Sequence, residues 1–178
     1  MLASDEENVL LPVNEPTYGT PRRSQIYNYL IANGGEGVQH IALATEDIFE
    51  TVARMREVGA RGGFTFMEPP SNAYYDELPA RIGDALPSES LRRARDLGIL
   101  IDRDDQGVLL QLFTRPVGDA PALFLEIIQR AGCELPDTRE GAPRGATVQK
   151  PGCGGFGKGN FKELFKSVEK FEQALGLD

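Results

Sequence analysis

The feature that most constrains the fold is an apolar run at residues 123–130 with one carboxylate, Glu126, in its middle. The run is rich in β-branched and aromatic residues, and it predicts a buried strand. Alternation along a strand places Phe124, Glu126 and Ile128 on one face. Because an unpaired charge is costly on a buried face, Glu126 requires a partner or a metal ion.

The chain has one histidine, His40, and it lies in a second apolar run at residues 37–43. An imidazole and a carboxylate are two members of the 2-His-1-carboxylate set that holds non-haem Fe(II). Taken alone, the two residues also fit a hydrogen-bonded core histidine and an edge glutamate, since buried polar groups usually have ordinary partners. Both interpretations stay open at this point.

The length, charge and composition of the chain narrow the possible classes of function. A length of 178 residues favours one domain, and a net charge of -8 argues against nucleic acid as a partner. There is no apolar run long enough to span a bilayer. The acidic start, with no signal peptide and no Arg-rich transit peptide, predicts a cytoplasmic location, with a plastid as the alternative. We expect Cys133 and Cys153 to be free thiols in a reducing compartment, with a disulfide as the less favoured alternative.

The order of elements predicts a β-α-β-β-β unit over residues 37–130, with helical insertions between its second and third strands. The predicted strands are 8–14, 37–43, 64–67, 99–101, 108–113 and 123–130. The predicted helices are 25–32 capped by Ser24, one from Asp47 to Gly59, helical turns at 74–82, one capped by Ser88 and ended by Gly98, and 161–175 capped by Asn160. A loop at 136–160 precedes the last helix.

Two further segments carry polar or flexible groups. Alternation along strand 108–113 puts Gln111 on one face with Phe113, and this face is either exposed to solvent or inward. The segment 152–161 fits G-x-G-x-x-G, but no strand precedes it, and Gly159 replaces the Ser or Thr of a P-loop. We therefore interpret it as a loop that closes over a cavity, with Phe156 and Phe161 contacting a ligand.

Five segments together, 37–43, 98–107, 110–114, 123–130 and 152–161, resemble the C-terminal part of the 4-hydroxyphenylpyruvate dioxygenase family, in its plant and algal form. The likeness runs from about residue 10 to residue 175. It implies an α+β fold of the vicinal oxygen chelate type, in which β-α-β-β-β modules form a half-open barrel. Residues 1–178 would be a catalytic domain incomplete at its N-terminal end. It would hold one complete module, the end of the preceding module, a gating loop at 136–160 and a C-terminal helix at 161–175.

The resemblance also implies an activity. The family uses Fe(II), held by two histidines and one glutamate, and His40 and Glu126 match the second histidine and the glutamate. Its substrates are 4-hydroxyphenylpyruvate and O2. Oxidative decarboxylation and ring hydroxylation give homogentisate, a step of tyrosine and phenylalanine catabolism that feeds plastoquinone and tocopherol synthesis in plants. Exposed strand edges in a half barrel favour association, and we expect a homodimer.

Other positions carry over one by one from the resemblance. The polar residues that match positions near the substrate are Gln111, Asn14, Gln25 and Gln39. Those that match the substrate pocket and its gate are Phe113, Phe124, Phe156, Gly157, Asn160 and Phe161. Alternation sends Gln39 to the face opposite His40, which argues against a shared role.

The chain departs from the family pattern in its histidines. The family's first iron-binding histidine lies on the preceding module, and the single His40 cannot complete the triad. The family's N-terminal domain is also missing. We therefore expect a C-terminal fragment that, on its own, binds iron poorly and does not turn over. The alternative from a different class is a non-catalytic protein of the same fold that binds small aromatic ligands.

Overall fold

The computed structural model describes residues 2–5, 8–19, 23–118 and 122–176. The acidic start, on which the predicted location depends, lies partly outside these residues, because Met1, Glu6 and Glu7 are not described. Among the described helices, none combines the length and the apolar character that a transmembrane span requires.

The strands form one four-stranded sheet and two small hairpins. The sheet strands are β3 (His40–Ala44), β4 (Leu100–Arg103), β5 (Val108–Phe113) and β6 (Phe124–Ala131). The hairpins are β1 (Leu2–Ala3) with β2 (Leu10–Leu11), and β7 (Glu134–Pro136) with β8 (Thr147–Gln149). The helices are α1 (Gln25–Asn33), α2 (Ile48–Gly59), α3 (Asn72–Ile82), α4 (Ser88–Leu97) and α5 (Phe161–Ala174).

The sheet order is β3-β6-β5-β4. β3 and β6 are parallel neighbours, whereas β6, β5 and β4 pair antiparallel. The first and last strands of the unit therefore lie side by side, although about eighty residues separate them. This pairing brings His40 and Glu126 to adjacent strands.

The two faces of the sheet differ in what covers them. Leu110, Leu112 and Ile127 belong to the hydrophobic core, which they share with Ile48 and Val52 of α2. The alternate residues of the same strands line an open pocket. A sheet with one face packed on helices and one face open is what a half barrel requires. The β-α-β-β-β arrangement predicted from the sequence is confirmed.

The predicted strand 64–67 is wrong, since only an isolated bridge joins Phe66 to Thr114. Two backbone hydrogen bonds form this bridge, from the Arg115 amide to the Thr65 carbonyl oxygen and from the Met67 amide to the Phe113 carbonyl oxygen. Pro69 and Pro70 end the pairing, because proline has no amide hydrogen to donate. The helices α3 and α4 therefore lie between the first and second strands of the sheet, where we predicted them between the second and third. The edge strand predicted at 8–14 shrinks to the two residues of β2.

Two of the four predicted helix caps are confirmed. Ser24 accepts a hydrogen bond from the Tyr27 amide, and Asp47 accepts one from the Glu50 amide. Ser88 is the first helical residue of α4, and the cap position belongs to Pro87. Asn160 precedes α5 without a capping hydrogen bond, because its side chain is bonded to Tyr74. The predicted helical turns at 74–82 are a full helix, α3, of 11 residues.

The prediction of free thiols is wrong, because a disulfide joins Cys133 to Cys153. Cys133 follows the end of β6 and has a positive φ of 52°. The Lys150 amide donates a hydrogen bond to the Cys133 carbonyl oxygen, and this contact folds the segment after β8 back onto β6. A spacing of 20 residues in sequence gave no signal of this proximity.

Candidate active site

The open face of the sheet lines a pocket of about 1010 Å³. This volume lies at the upper end of the range for small-molecule pockets. Eight of the twelve predicted site residues line it: Asn14, Gln39, His40, Gln111, Phe113, Glu126, Phe156 and Phe161. Of the other four, Gln25, Phe124 and Gly157 contact these residues, whereas Asn160 is bonded to Tyr74.

His40 and Glu126 meet at the floor of the pocket. The register of β3 and β6 pairs Ala42 with Glu126, and His40 lies two residues away on the same face. His40 Nε2 is 3.5 Å from Glu126 Oε2, and the side chains are 24% and 10% exposed. Two groups that can both ligate a cation thus point at one place in a nearly dry environment.

Burial shifts the acid–base behaviour of both groups toward the neutral form. Desolvation raises the pKa of Glu126 to about 7, and the positive charge of Arg130 partly opposes this shift. Burial likewise lowers the pKa of His40. The metal-free pair therefore favours a neutral imidazole beside a protonated carboxyl group. A divalent cation between them would restore the carboxylate and offset the cost of burying it.

The pair fits part of a non-haem iron site. His and carboxylate ligands are those of the facial triad, and the structure brings one of each together. Among the described residues, no group of three or more His, Cys, Asp or Glu side chains could hold a metal ion. The described part of the chain could therefore supply at most two protein ligands of such a three-ligand set.

Gln111 faces the pocket from β5, which decides the alternative that the sequence left open. Its side chain is 1% exposed, and its Oε1 atom has no hydrogen-bond partner among the described residues. A buried amide oxygen without a partner is a costly group. Gly157 packs against this oxygen, so a molecule in the pocket does not reach it in this arrangement.

Aromatic rings form one wall of the site. Phe124 stacks on the His40 imidazole, with 5.0 Å between ring centroids and 12° between planes. Phe113 meets Phe124 edge-on at 6.0 Å, and its register partner on β6 is Glu126. Phe124 therefore fixes the orientation of the imidazole from behind, whereas Phe113 itself lines the pocket.

The alternation argument separated Gln39 from His40, but both residues line the pocket. The Gln39 carbonyl oxygen accepts a hydrogen bond from the Phe124 amide at 3.0 Å, which continues the pairing of β3 with β6. The Gln39 Nε2 atom donates a hydrogen bond to Gln25 Oε1 at 3.0 Å. Gln25 is buried and orients Gln39 from α1.

The segment between β8 and α5 covers one side of the pocket. Phe156 and Phe161 line it, as do Leu164 and Phe165 of α5. Gly157 has φ 66°, and a Cβ atom there would overlap Gln111 Oε1. Only glycine allows this backbone to lie so close to the Gln111 amide. Asn160 is fully buried and contacts Tyr74 instead of the pocket.

Arg130 is a pocket residue that we did not predict. It shares the Glu126 face of β6, and its Nη1 donates hydrogen bonds to the Cys153 and Gly155 carbonyl oxygens, the latter at 2.7 Å. Strand alternation extended by two residues beyond Ile128 would have found it. Leu164 and Phe165 of α5 also line the pocket, and helical periodicity alone does not distinguish a face toward the core from a face toward a cavity.

Comparison with known proteins adds the family. No protein-family model matches the chain. Curated proteins named 4-hydroxyphenylpyruvate dioxygenase do match it over 98% of its length, with 58% identity for Daucus carota and 54% for Arabidopsis thaliana. The protein of the same name from Danio rerio is 42% identical over 96% of the chain. The chain spans 38% of the length of the Daucus carota protein.

Solved structures give the same family of folds. A triple mutant of 4-hydroxymandelate synthase from Streptomyces coelicolor matches 84% of the chain and 35% of its own, with a TM-score of 0.62 and 34% identity. A fusion of a xylose isomerase-like TIM barrel with 4-hydroxyphenylpyruvate dioxygenase matches 83% of the chain and 20% of its own, with a TM-score of 0.54 and 30% identity. The chain therefore has a vicinal oxygen chelate fold and is a homologue of the C-terminal part of the 4-hydroxyphenylpyruvate dioxygenases.

Proposed function

We propose that this chain carries the His–Glu metal pair, the substrate pocket and the closing helix of a 4-hydroxyphenylpyruvate dioxygenase. The observation that carries the proposal is the convergence of His40 Nε2 and Glu126 Oε2, 3.5 Å apart, at the floor of an aromatic pocket. The substrates would be 4-hydroxyphenylpyruvate and O2, and the product homogentisate.

The proposed role of each residue follows from its position in the pocket. His40 and Glu126 would hold Fe(II), which supplies the redox chemistry with O2 when it is bound. Gln111 lines the pocket from β5, and its side chain would help to set the shape of the substrate site. Phe113 and Phe161 would enclose the aromatic ring and exclude water from it.

The proposal predicts activity in a chimera. In this chimera, residues 3–176 replace the matching segment of the Daucus carota protein, to which the chain is 58% identical. We expect Fe(II)-dependent formation of homogentisate from 4-hydroxyphenylpyruvate, measured by chromatography, because the segment brings its own His–Glu pair. Activity should be lost in His40→Ala, since no other histidine of the segment can replace the ligand.

A chimera that unfolds cooperatively but forms no homogentisate would refute the proposal. Metal-independent binding of 4-hydroxyphenylpyruvate, with no product, would instead favour the aromatic-ligand-binding protein. The same assay on the 178-residue chain alone tests the expectation that it does not turn over.

The homodimer and the cytoplasmic or plastid location stay predictions. Association is supported by Ile41 and Leu43, which are 45% and 47% exposed on β3. In the described sheet β3 is an edge strand, and exposed apolar side chains along an edge favour pairing with another surface.

A further inference from the structure

A polar cluster outside the pocket holds the turn that leads into α5. The cluster consists of Tyr74 and Arg81 from α3 and Asp102 from β4. The turn is the 3-10 helix Lys158–Asn160, which joins the glycine-rich loop to α5. Neither the sequence motifs nor the site described above uses any of these three side chains.

Asp102 binds the turn through the backbone. Its Oδ2 atom accepts a hydrogen bond from the Gly159 amide at 2.7 Å. Its Oδ1 atom lies 3.5 Å from Arg81 Nη2. A Cβ atom at Gly159 would overlap the same carboxylate. The glycine is therefore required for the backbone to approach Asp102 so closely.

Tyr74 binds the turn through a side chain. Its hydroxyl lies 2.8 Å from Asn160 Oδ1, and it accepts a hydrogen bond from the Ile101 amide at 2.7 Å. Burial raises the pKa of Tyr74 to about 12, so the hydroxyl keeps its proton and can donate it. Arg81 lies over the Tyr74 ring at 5.2 Å, which links the two halves of the cluster. Tyr74 and Asn160 are buried and Asp102 is half-buried, whereas Arg81 and Gly159 are exposed.

We propose that Tyr74, Arg81 and Asp102 form a latch that holds residues 157–161 closed over the pocket. The segment carries Gly157, which packs on Gln111, and Phe161, which lines the pocket. The three latch residues are not among the residues that line the pocket. They are positioning residues, because they hold the segment that places Phe161 at the pocket. The inference rests on the proposed function only for the identity of the ligand that the segment encloses.

Two readouts follow the latch without metal or substrate. One is hydrogen exchange of the Gly159 amide in the 178-residue chain, with the Leu110 and Ile127 amides of the core strands as internal references. The other is limited cleavage by trypsin after Lys158, whose side chain is exposed and whose following amide is the one that Asp102 binds. Neither readout needs turnover. The latch proposal can therefore be refuted while the chimera is active, and it can hold while the chimera is inactive.

We expect Asp102→Ala to speed both exchange at Gly159 and cleavage after Lys158 by about tenfold, since a charge-assisted hydrogen bond is lost. Asp102→Asn keeps an oxygen acceptor and should show an intermediate rate. Tyr74→Phe, which removes only the hydroxyl, should also speed cleavage. Asp105→Ala, an exposed aspartate in the neighbouring hairpin turn, should match the wild-type rates.

Wild-type rates at Gly159 in both Asp102→Ala and Tyr74→Phe would overturn the latch. An equal acceleration of exchange at Leu110 and Ile127 would overturn it as well, because the substitution would then have destabilised the whole fold. Selective acceleration at the turn, with partial rescue by Asp102→Asn, would support it.

Discussion

Gly157→Ala should lower the free energy of unfolding by about 3 kcal/mol, with two causes of comparable size. The residue has φ 66°, where an alanine is strained, and its Cβ atom would overlap the buried Gln111 side chain. Urea denaturation followed by circular dichroism measures the change. Gly145→Ala is the matched control, since φ is 80° but nothing lies within 4 Å of the added Cβ atom, and it should cost about 1 kcal/mol.

A double-mutant cycle separates the two causes. In the Gln111→Ala background the colliding side chain is gone, and Gly157→Ala should then cost no more than Gly145→Ala does. Equal losses from the two glycine variants in the wild-type background would show that Gly157 does not press on Gln111. The close packing of Gly157 against Gln111 described above would then be contradicted.

Glu126→Gln should stabilise the metal-free chain, and the gain should grow with pH. The pKa of Glu126 is about 7 in the folded protein, above the ordinary value of 4.5, because burial disfavours the charge. Between these values the folded protein holds a proton that the unfolded chain has released, so stability falls as pH rises. Because glutamine cannot ionise, the variant does not lose stability in this way as pH rises.

The gain should increase by about 2 kcal/mol between about pH 5.5 and about pH 8, given 1.36 kcal/mol for each unit of pKa difference. Urea denaturation with a chelator present measures it at each pH. Glu134→Gln is the control, since it also removes one carboxyl group at the pocket, but from an exposed position at the rim. A gain for Glu126→Gln that is constant or declines with pH would contradict the buried carboxyl group.

The strands were the most predictable part of the fold, because burial on one face enforces alternation. The parity of 123–130 placed Phe124, Glu126 and Ile128 together, and the structure confirms it through the register with β5. The parallel pairing of β3 with β6 has no local signal, since it depends on a crossover through three helices. The sequence alone therefore could not bring His40 to Glu126, and only the resemblance did.

Other failures have local physical causes. Alternation separated Gln39 from His40, whereas both line the pocket, with the Gln39 side chain bonded to Gln25 of α1. Asn160 looked like a helix cap, but its side chain is bonded to Tyr74, 86 residues away in sequence. Cys133 and Cys153 have no motif spacing, and only the return of the chain after β8 joins them. Contacts between distant segments thus account for most of what sequence patterns missed.

The measurement that tests the central claim most directly is an anaerobic calorimetric titration of 4-hydroxyphenylpyruvate into the 178-residue chain, with and without Fe(II). We predict that Fe(II) strengthens ligand binding, because a 2-oxo acid can chelate a metal held by His40 and Glu126. This metal-dependent gain should disappear in His40→Ala and in Glu126→Ala, and persist in Glu134→Ala. A gain that survives the loss of His40 and of Glu126 would contradict the assignment of this pair as the metal ligands.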